Sequence, residues 1–290
     1  MHFDSASKRI KLIDSQETQR VLNIMMVTRD SERSLPATLA MFEELERAIE
    51  CDFHYVFVEN GSKDRTRELV VQFLKTRKGI LHTPENADKF DNLVRPQRIA
   101  NARNSGIKFL EPKAKWTLLV DNDIYFDVNA LIALFQQNPT LNGYAKVCAF
   151  GELAIFNEQT YKLQPTGHYY DTWAFTLKQG ETGYNIYWPH CVFEDCPICK
   201  RHLLGPKLKR EGVIEVGSAF GGFAIVNTSG MINRGVSYFS ALVSDSSVLE
   251  RRITCEHVPF CMALSSKTGQ KIVIAANSRV FYDGTKYVFD

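Results

Sequence analysis

Two carboxylates separated by one residue, Asp121 and Asp123, follow the short apolar run Leu118-Leu119-Val120. Hard oxygen donors at this spacing can hold a divalent cation, directly or through water, and such a cation can bridge phosphate oxygens. In an ordinary exposed turn the pair would simply be solvated. Here it ends a buried strand, and open α/β sheets bind ligands beyond the carboxyl ends of their strands. Asn122 lies between the two acids. Two further strand ends point the same way, Thr28-Arg29-Asp30 and Glu59-Asn60-Gly61-Ser62-Lys63-Asp64-Arg65-Thr66. An acid at such an end can accept hydrogen bonds from a ribose or base, and Gly61 permits close backbone approach. Ser62 or Asp64 could equally cap the next helix. Thr28, Arg29, Glu59 and Asn60 are therefore candidate nucleotide contacts. Just upstream of the acid pair, Arg98, Arg103 and Asn104 lie in RIANARNSG. Either arginine could reach a phosphate or the Asp121/Asp123 carboxylates, and Asn104 could orient a carboxylate. The arginines are five residues apart, roughly 140° around a helix, so both should not squarely face one ligand.

The second half supplies a different chemistry. Asp171 is flanked by Tyr169, Tyr170 and Trp173, which sets a hydrogen-bonding carboxylate beside apolar ring faces. That pairing suits a sugar, with hydroxyls on its rim and C–H groups on its faces. Tyr170, Asp171 and Trp173 are candidate acceptor contacts. Glu256 precedes an apolar, helix-like stretch and could deprotonate an acceptor hydroxyl, with Asp171 as second choice of base. His257 could be a third metal ligand or contact a phosphate. Gly221 and Gly222 would let the backbone approach donor or acceptor, or pack closely. His190, Cys191, Cys196, Cys199 and His202 have thiol and imidazole spacing compatible with structural Zn²⁺. Buried unligated thiols are the competing reading.

These residues need a scaffold, and the first half spells one out. Leu22–Thr28, Phe53–Val58 and Trp116–Val120 are short continuous apolar runs, suited to strands buried on both faces, and Ile80–Thr83 is a shorter one. Between them lie helical patterns: one opened by Ser34 and Pro36, one from about Asp64 to Arg77, and one from Gln97 to Leu110. A further helix carries Leu131, Leu134 and Phe135. Alternating strands and helices predict a sheet covered on both faces and joined by right-handed crossovers. After residue 140 the regularity fades into short apolar runs rich in aromatics and glycines. The expected organisation is a polar arm over 1–20 and one domain over 21–290, with 21–130 binding a nucleotide sugar and 131–290 binding an acceptor.

Composition limits the rest. The 290 residues carry 35 Lys+Arg against 33 Asp+Glu, for a net charge of +2, too small a field to hold nucleic acid. Seven cysteines do not form an evident disulfide framework. No run of about 18 apolar residues and no signal-peptide pattern appears, so no transmembrane segment is expected and a cytoplasmic location is. No G-x-G-x-x-G or G-x-x-x-x-G-K-[ST] occurs, which argues against a dinucleotide oxidoreductase or P-loop ATPase.

Together, VTRD, VENGSKDRT, RIANARNSG and LLVDNDIYF resemble the GT-A glycosyltransferases in order and spacing over residues 20–130. In the second half, HYYDTWAF, VGSAFGGFAIV and CEHVPFC are similar to the fungal capsule-associated α-1,3-mannosyltransferases, glycosyltransferase family 69. The resemblance implies a Rossmann-like mixed α/β sheet and a divalent cation, Mn²⁺ or Mg²⁺, at Asp121 and Asp123. It implies that Glu59 contacts the nucleoside. The donor would be a nucleoside diphosphate sugar, GDP-mannose or a UDP-sugar such as UDP-xylose or UDP-glucose, and the acceptor a glycan hydroxyl. Relatives of this type are generally membrane-anchored, and family 69 implies retention of configuration. Two rival functions have distinct signatures. A sugar-nucleotide pyrophosphorylase needs a Gly-rich loop after the first strand, where this chain has Thr28-Arg29-Asp30-Ser31-Glu32-Arg33. A non-catalytic carbohydrate-binding module would not turn over a sugar nucleotide. The residues do not fix an oligomeric state.

Overall fold

A computed structural model gives the architecture. It describes residues 9–11, 21–85, 95–140, 142–157, 159–160, 162–171, 173–176, 207–238, 242–243, 252–253 and 255–283. The predicted zinc residues, His190 to His202, lie outside the described residues, as does most of the predicted N-terminal arm.

The first half follows its sequence pattern. Strand β1 (Val21–Thr28) leads to helix α1 (Leu35–Ala48), β2 (Asp52–Glu59) to α2 (Thr66–Leu74), β3 (Gly79–His82) to α3 (Arg95–Ile107), and then β4 (Trp116–Asp121). All four strands are mutually parallel, in the order β3-β2-β1-β4. In register, Thr28 stands beside Glu59 and Val27 beside Asp121, so three strand ends reach one edge together. Alternation sends Leu22, Ile24 and Met26 to one face, against Phe42 and Leu45 of α1 and Phe73 of α2. Met25 goes to the other, against Ala100 and Ala102 of α3. Ser34, expected to cap α1, is already helical at φ −93°, ψ −33° and accepts no capping bond. The turn begins earlier, with Ser34 and Leu35 both donating to Ser31 O.

The second half completes the sheet and makes it mixed. After β5 (Ile124–Tyr125) and α4 (Val128–Gln136) come β6 (Tyr144–Asn157), β7 (Lys162–Tyr169), β8 (Val213–Val216), β9 (Phe223–Asn227) and α5 (Thr228–Ile232). Strand β10 (Leu242–Val243) pairs antiparallel with β11 (Arg252–Ile253), ahead of α6 (His257–Thr268) and β12 (Lys271–Asp283). The main sheet, ten-stranded among the described residues, has the path β3-β2-β1-β4-β9-β6-β12-β5, with β7 on β6 and β8 on β12. Strand β9 runs antiparallel between β4 and β6, with Phe223 beside Val120. That pairing carries Gly221 and Gly222 past the end of β4, where Asp121 N donates to Gly222 O at 2.9 Å. Helices cover both faces, α1, α2 and α4 on one and α3 and α6 on the other.

Among the described residues, no helix is long and apolar enough to cross a membrane.

Candidate active site

A cavity of about 400 Å³ opens beyond the carboxyl ends of β1, β2 and β4. Asp121, Asn122 and Asp123 form part of its wall, together with Arg29, Asn60, Arg98 and Arg103 from the first half. Tyr170, Asp171, Trp173, Glu256 and His257 close it from the second. Asp121 and Asp123 reach the wall because β4 is buried to Val120 and emerges only at Asp121.

Arg103 organises the floor. It is 4% exposed, and its guanidinium lies 3.1 Å from Asp121 Oδ1 and 3.4 Å from Glu256 Oε1. Burial works against its charge, but Asp121 and then Glu256 outweigh burial and hold it above the ordinary arginine value. The rings of Phe220 and Tyr238 lie 4.9 and 5.5 Å from the guanidinium carbon, within cation–π range. Arg98 also reaches the cavity despite the 140° between it and Arg103. Arg95 and Ile99 fall inside that arc and line the cavity too, so the flank of α3, rather than one stripe, forms the wall.

Asp171 sits at the opposite side, accepting from Gly221 N at 2.9 Å and from Ala174 N at 3.4 Å. Burial raises its carboxyl to about 6; the Gly221 N–H opposes this, and the Asp121 and Glu256 charges add to it. His257 is neutral for the converse reason: burial, then Lys146 and Arg103, push it well below 6.5. Its ring stacks on Phe220 at 4.0 Å.

Five expected contacts lie off the cavity wall. Thr28 is 1% exposed, and its hydroxyl accepts from Asn122 Nδ2 at 3.4 Å. Glu59 is turned into its own loop, accepting from Ser62 N and from Thr83 Oγ1, the latter at 3.3 Å, with Arg67 at 3.8 Å. Its neighbour Asn60 takes the place on the wall, with Oδ1 buried and, among the described residues, unpartnered. Asn104 clamps a backbone segment instead, donating to Tyr238 O at 2.6 Å and accepting from Tyr238 N at 2.7 Å. Gly221 and Gly222 are packing glycines. At Gly222, φ is +74°, and a Cβ would fall 2.4 Å from Ile124 Cγ1 and 2.7 Å from the Tyr170 hydroxyl.

Asp30, the acid at the end of β1, does line the wall; sequence reasoning missed Arg95, Phe220 and Tyr282 there, and Lys146 behind it. Tyr282 stacks on Tyr170 with centroids 4.7 Å apart and planes at 6°. It comes from the far end of β12, where Tyr282 stands beside Ile124, and no local pattern marks it. Lys146 did carry a signal, as a lone charge inside an apolar run.

Among the described residues, no group of three or more His, Cys, Asp or Glu side chains is gathered to hold a metal ion.

Solved structures share this architecture at low identity. TarS 1-349 of S. aureus is 12% identical, with TM-score 0.50, over 91% of this chain and 60% of its own. In complex with UDP-GlcNAc it gives 14%, 0.51, 90% and 58%. GalNAc-T7 with UDP, GalNAc and Mn²⁺ gives 13%, 0.52, 92% and 44%. The chain thus spans between 44% and 60% of these structures. They are GT-A glycosyltransferases, and the likeness establishes that fold here. No curated protein shows significant similarity to the chain. The family model described as Cryptococcal mannosyltransferase 1 matches residues 7–256, most of the chain, and the protein belongs to that family.

Proposed function

We propose that the protein transfers a sugar from a nucleoside diphosphate sugar to a hydroxyl of a glycan acceptor, with Mn²⁺ or Mg²⁺ at Asp121 and Asp123. GDP-mannose is the donor that the family description favours, and a UDP-sugar is the alternative favoured by the ligands named for the neighbouring structures. One observation carries the reading. The two acids and the guanidiniums of Arg29, Arg95, Arg98 and Arg103 converge on a single cavity at the strand ends, beside a carboxylate set among aromatic rings.

The donor set suits a hard divalent cation. Asp121 and Asp123 offer carboxylate oxygens on one wall, and phosphate oxygens and water can supply the remaining ligands. When bound, such a cation neutralises charge on the departing diphosphate. The chain's own residues do the rest. Arg103 fixes Asp121 from below, while Arg29, Arg95 and Arg98 face the phosphate charge from the sides. Asn60 offers its buried Oδ1 to a ribose hydroxyl or a base N–H. Tyr170 and Trp173 present ring faces to a sugar.

For a transfer with inversion, Asp171 is the better base, because a carboxyl near 6 can take a proton at neutral pH. Glu256 is committed to Arg103 and acts as its anchor. For a transfer with retention, as the family-69 resemblance implies, neither acid need take a proton, and both position substrates. Replacing Asp123 by Ala should lower metal-dependent transfer at least about 100-fold with the melting temperature little changed. Near-normal transfer would refute the assignment.

A further inference from the structure

Behind the cavity wall lies a buried cation that the transfer reaction does not require. Lys146, in β6, has 0% exposure, and among the described residues no carboxylate forms an ion pair with it. Its ammonium meets Ala219 O at 2.7 Å, His257 Nδ1 at 3.3 Å and Cys261 Sγ at 3.5 Å. The rings of Phe220 and Phe260 lie 5.2 and 5.7 Å from Nζ, which suits a cation.

An ammonium has three N–H donors and no acceptor. Three acceptors surround it here, and one of them is His257 Nδ1. That nitrogen must present its lone pair, because an N–H in the same place would oppose the N–H groups of Lys146. A neutral imidazole with Nδ1 unprotonated carries its hydrogen on Nε2. The ring cannot easily turn over to exchange its nitrogens. It is 2% exposed, stacked on Phe220 at 4.0 Å and held edge-on to Tyr238 at 5.4 Å. Among the described residues Nε2 has no hydrogen-bond partner, and the nearest carboxylate oxygen, Glu256 Oε1, stands 3.8 Å away, beyond bonding range. A buried donor left without a partner is costly; His257 lines the cavity, and an anionic oxygen brought against it there would relieve that cost.

We propose that Lys146 is a positioning residue that fixes His257 as the Nε2–H tautomer, so that His257 donates a hydrogen bond to a phosphate oxygen of the donor substrate. In this role His257 is not a lone-pair ligand to the cation held by Asp121 and Asp123. The identity of the accepting oxygen rests on the nucleoside diphosphate reading of the cavity; the tautomer does not.

The test uses the full chain with ¹⁵N-labelled histidine. In the wild type without nucleotide, the His257 Nδ1 resonance should be of the unprotonated type and Nε2 of the N–H type. Lys146→Met should convert the ring to a mixture of tautomers or to Nδ1–H. Titration with GDP, and separately with UDP, in the absence of metal should then show affinity about 10-fold weaker in Lys146→Met. His257→Ala should lose about as much, and the double variant no more than His257→Ala alone, because the lysine acts through the histidine. A wild-type ring protonated on Nδ1 overturns the proposal, and so do losses that add independently. Should Lys146→Met fail to fold, the wild-type spectrum still decides the tautomer. If neither nucleotide binds the wild type, the cavity reading fails while the tautomer result stands.

Discussion

At the scale of single residues, the site is governed by how unequally its charged groups are satisfied. Arg103 has two carboxylates in a buried setting, whereas Asp171 is itself buried, lies near two like charges, and among the described residues has only backbone N–H groups to offset them. Its carboxyl is therefore raised to about 6 from an ordinary 3.8. The sign follows from proton linkage. The folded state binds this proton more tightly than the unfolded chain, so the contribution is favourable at pH 4 and is lost as pH rises through 6. Asp171→Asn keeps an acceptor for Gly221 N and removes the titration. Relative to wild type, the variant should gain stability between pH 4 and pH 7 in metal-free, nucleotide-free buffer, by roughly 1–2 kcal/mol after allowance for solvent screening. Melting curves across that range check this, and a constant difference between the two proteins would contradict it. Much of this chemistry was legible in the sequence, because Asp121, Asp123, Arg103, Asp171 and Glu256 combine telling residue types with telling positions. Partner choice was not legible. Glu59 stands at a strand end as expected, yet its oxygens serve Ser62, Thr83 and Arg67. Only the three-dimensional path of the loop decides between Glu59 and Asn60.

Elements were legible where burial is uniform. β1, β2 and β4 lie inside the sheet and read as unbroken apolar runs, while α1 and α4 read by their helical spacing. β12 was missed although it sits between β6 and β5. Its register shifts between Ala275 and Arg279, so the inward-facing pattern breaks at Ala276-Asn277-Ser278. β9 was visible as an apolar run, but its antiparallel direction was not, since direction depends on a connection through the rest of the second half. That direction matters most at Gly222. The residue before β9 must turn tightly, with φ of +74°, against Ile124 and the Tyr170 hydroxyl. Gly222→Ala adds backbone strain to a Cβ that would lie 2.4 Å from Ile124 Cγ1. A loss of at least about 2 kcal/mol is expected, seen as a lower urea midpoint with an unchanged slope. Gly143→Ala is the control: it shares a positive φ, but among the described residues nothing lies within 4 Å of its Cβ. It should cost about 1 kcal/mol, and equal losses at the two sites would show that packing at Gly222 contributes nothing.

Over the whole molecule, the cavity is where the two halves of the chain meet. Residues 27–123 supply Asp121, Asp123 and the four arginines, and residues 170–282 supply the rings, Asp171, Glu256 and His257. A ligand that touches both halves stabilises the cooperative unit rather than one segment. Free GDP at 100 times its Kd should therefore add about 2.7 kcal/mol, or roughly 5–10 °C in melting temperature for a chain of this size. The net charge of only +2 implies that attraction for the proposed nucleotide would be local rather than a field of the whole protein. The local cations fall into two classes. Arg95 is exposed and Arg29 and Arg98 are half-buried, whereas Arg103 is closed off with Asp121 and Glu256. Salt screens the first class and scarcely touches the second. Raising NaCl from about 50 to 500 mM should weaken GDP binding several-fold without lowering the melting temperature of the free protein. In Arg95→Gln and Arg98→Gln the salt dependence should be shallower and the low-salt affinity weaker. A wild-type affinity indifferent to salt would mean that these arginines do not meet the phosphates, and that the nucleotide is held by Asn60 and by a cation at Asp121 and Asp123.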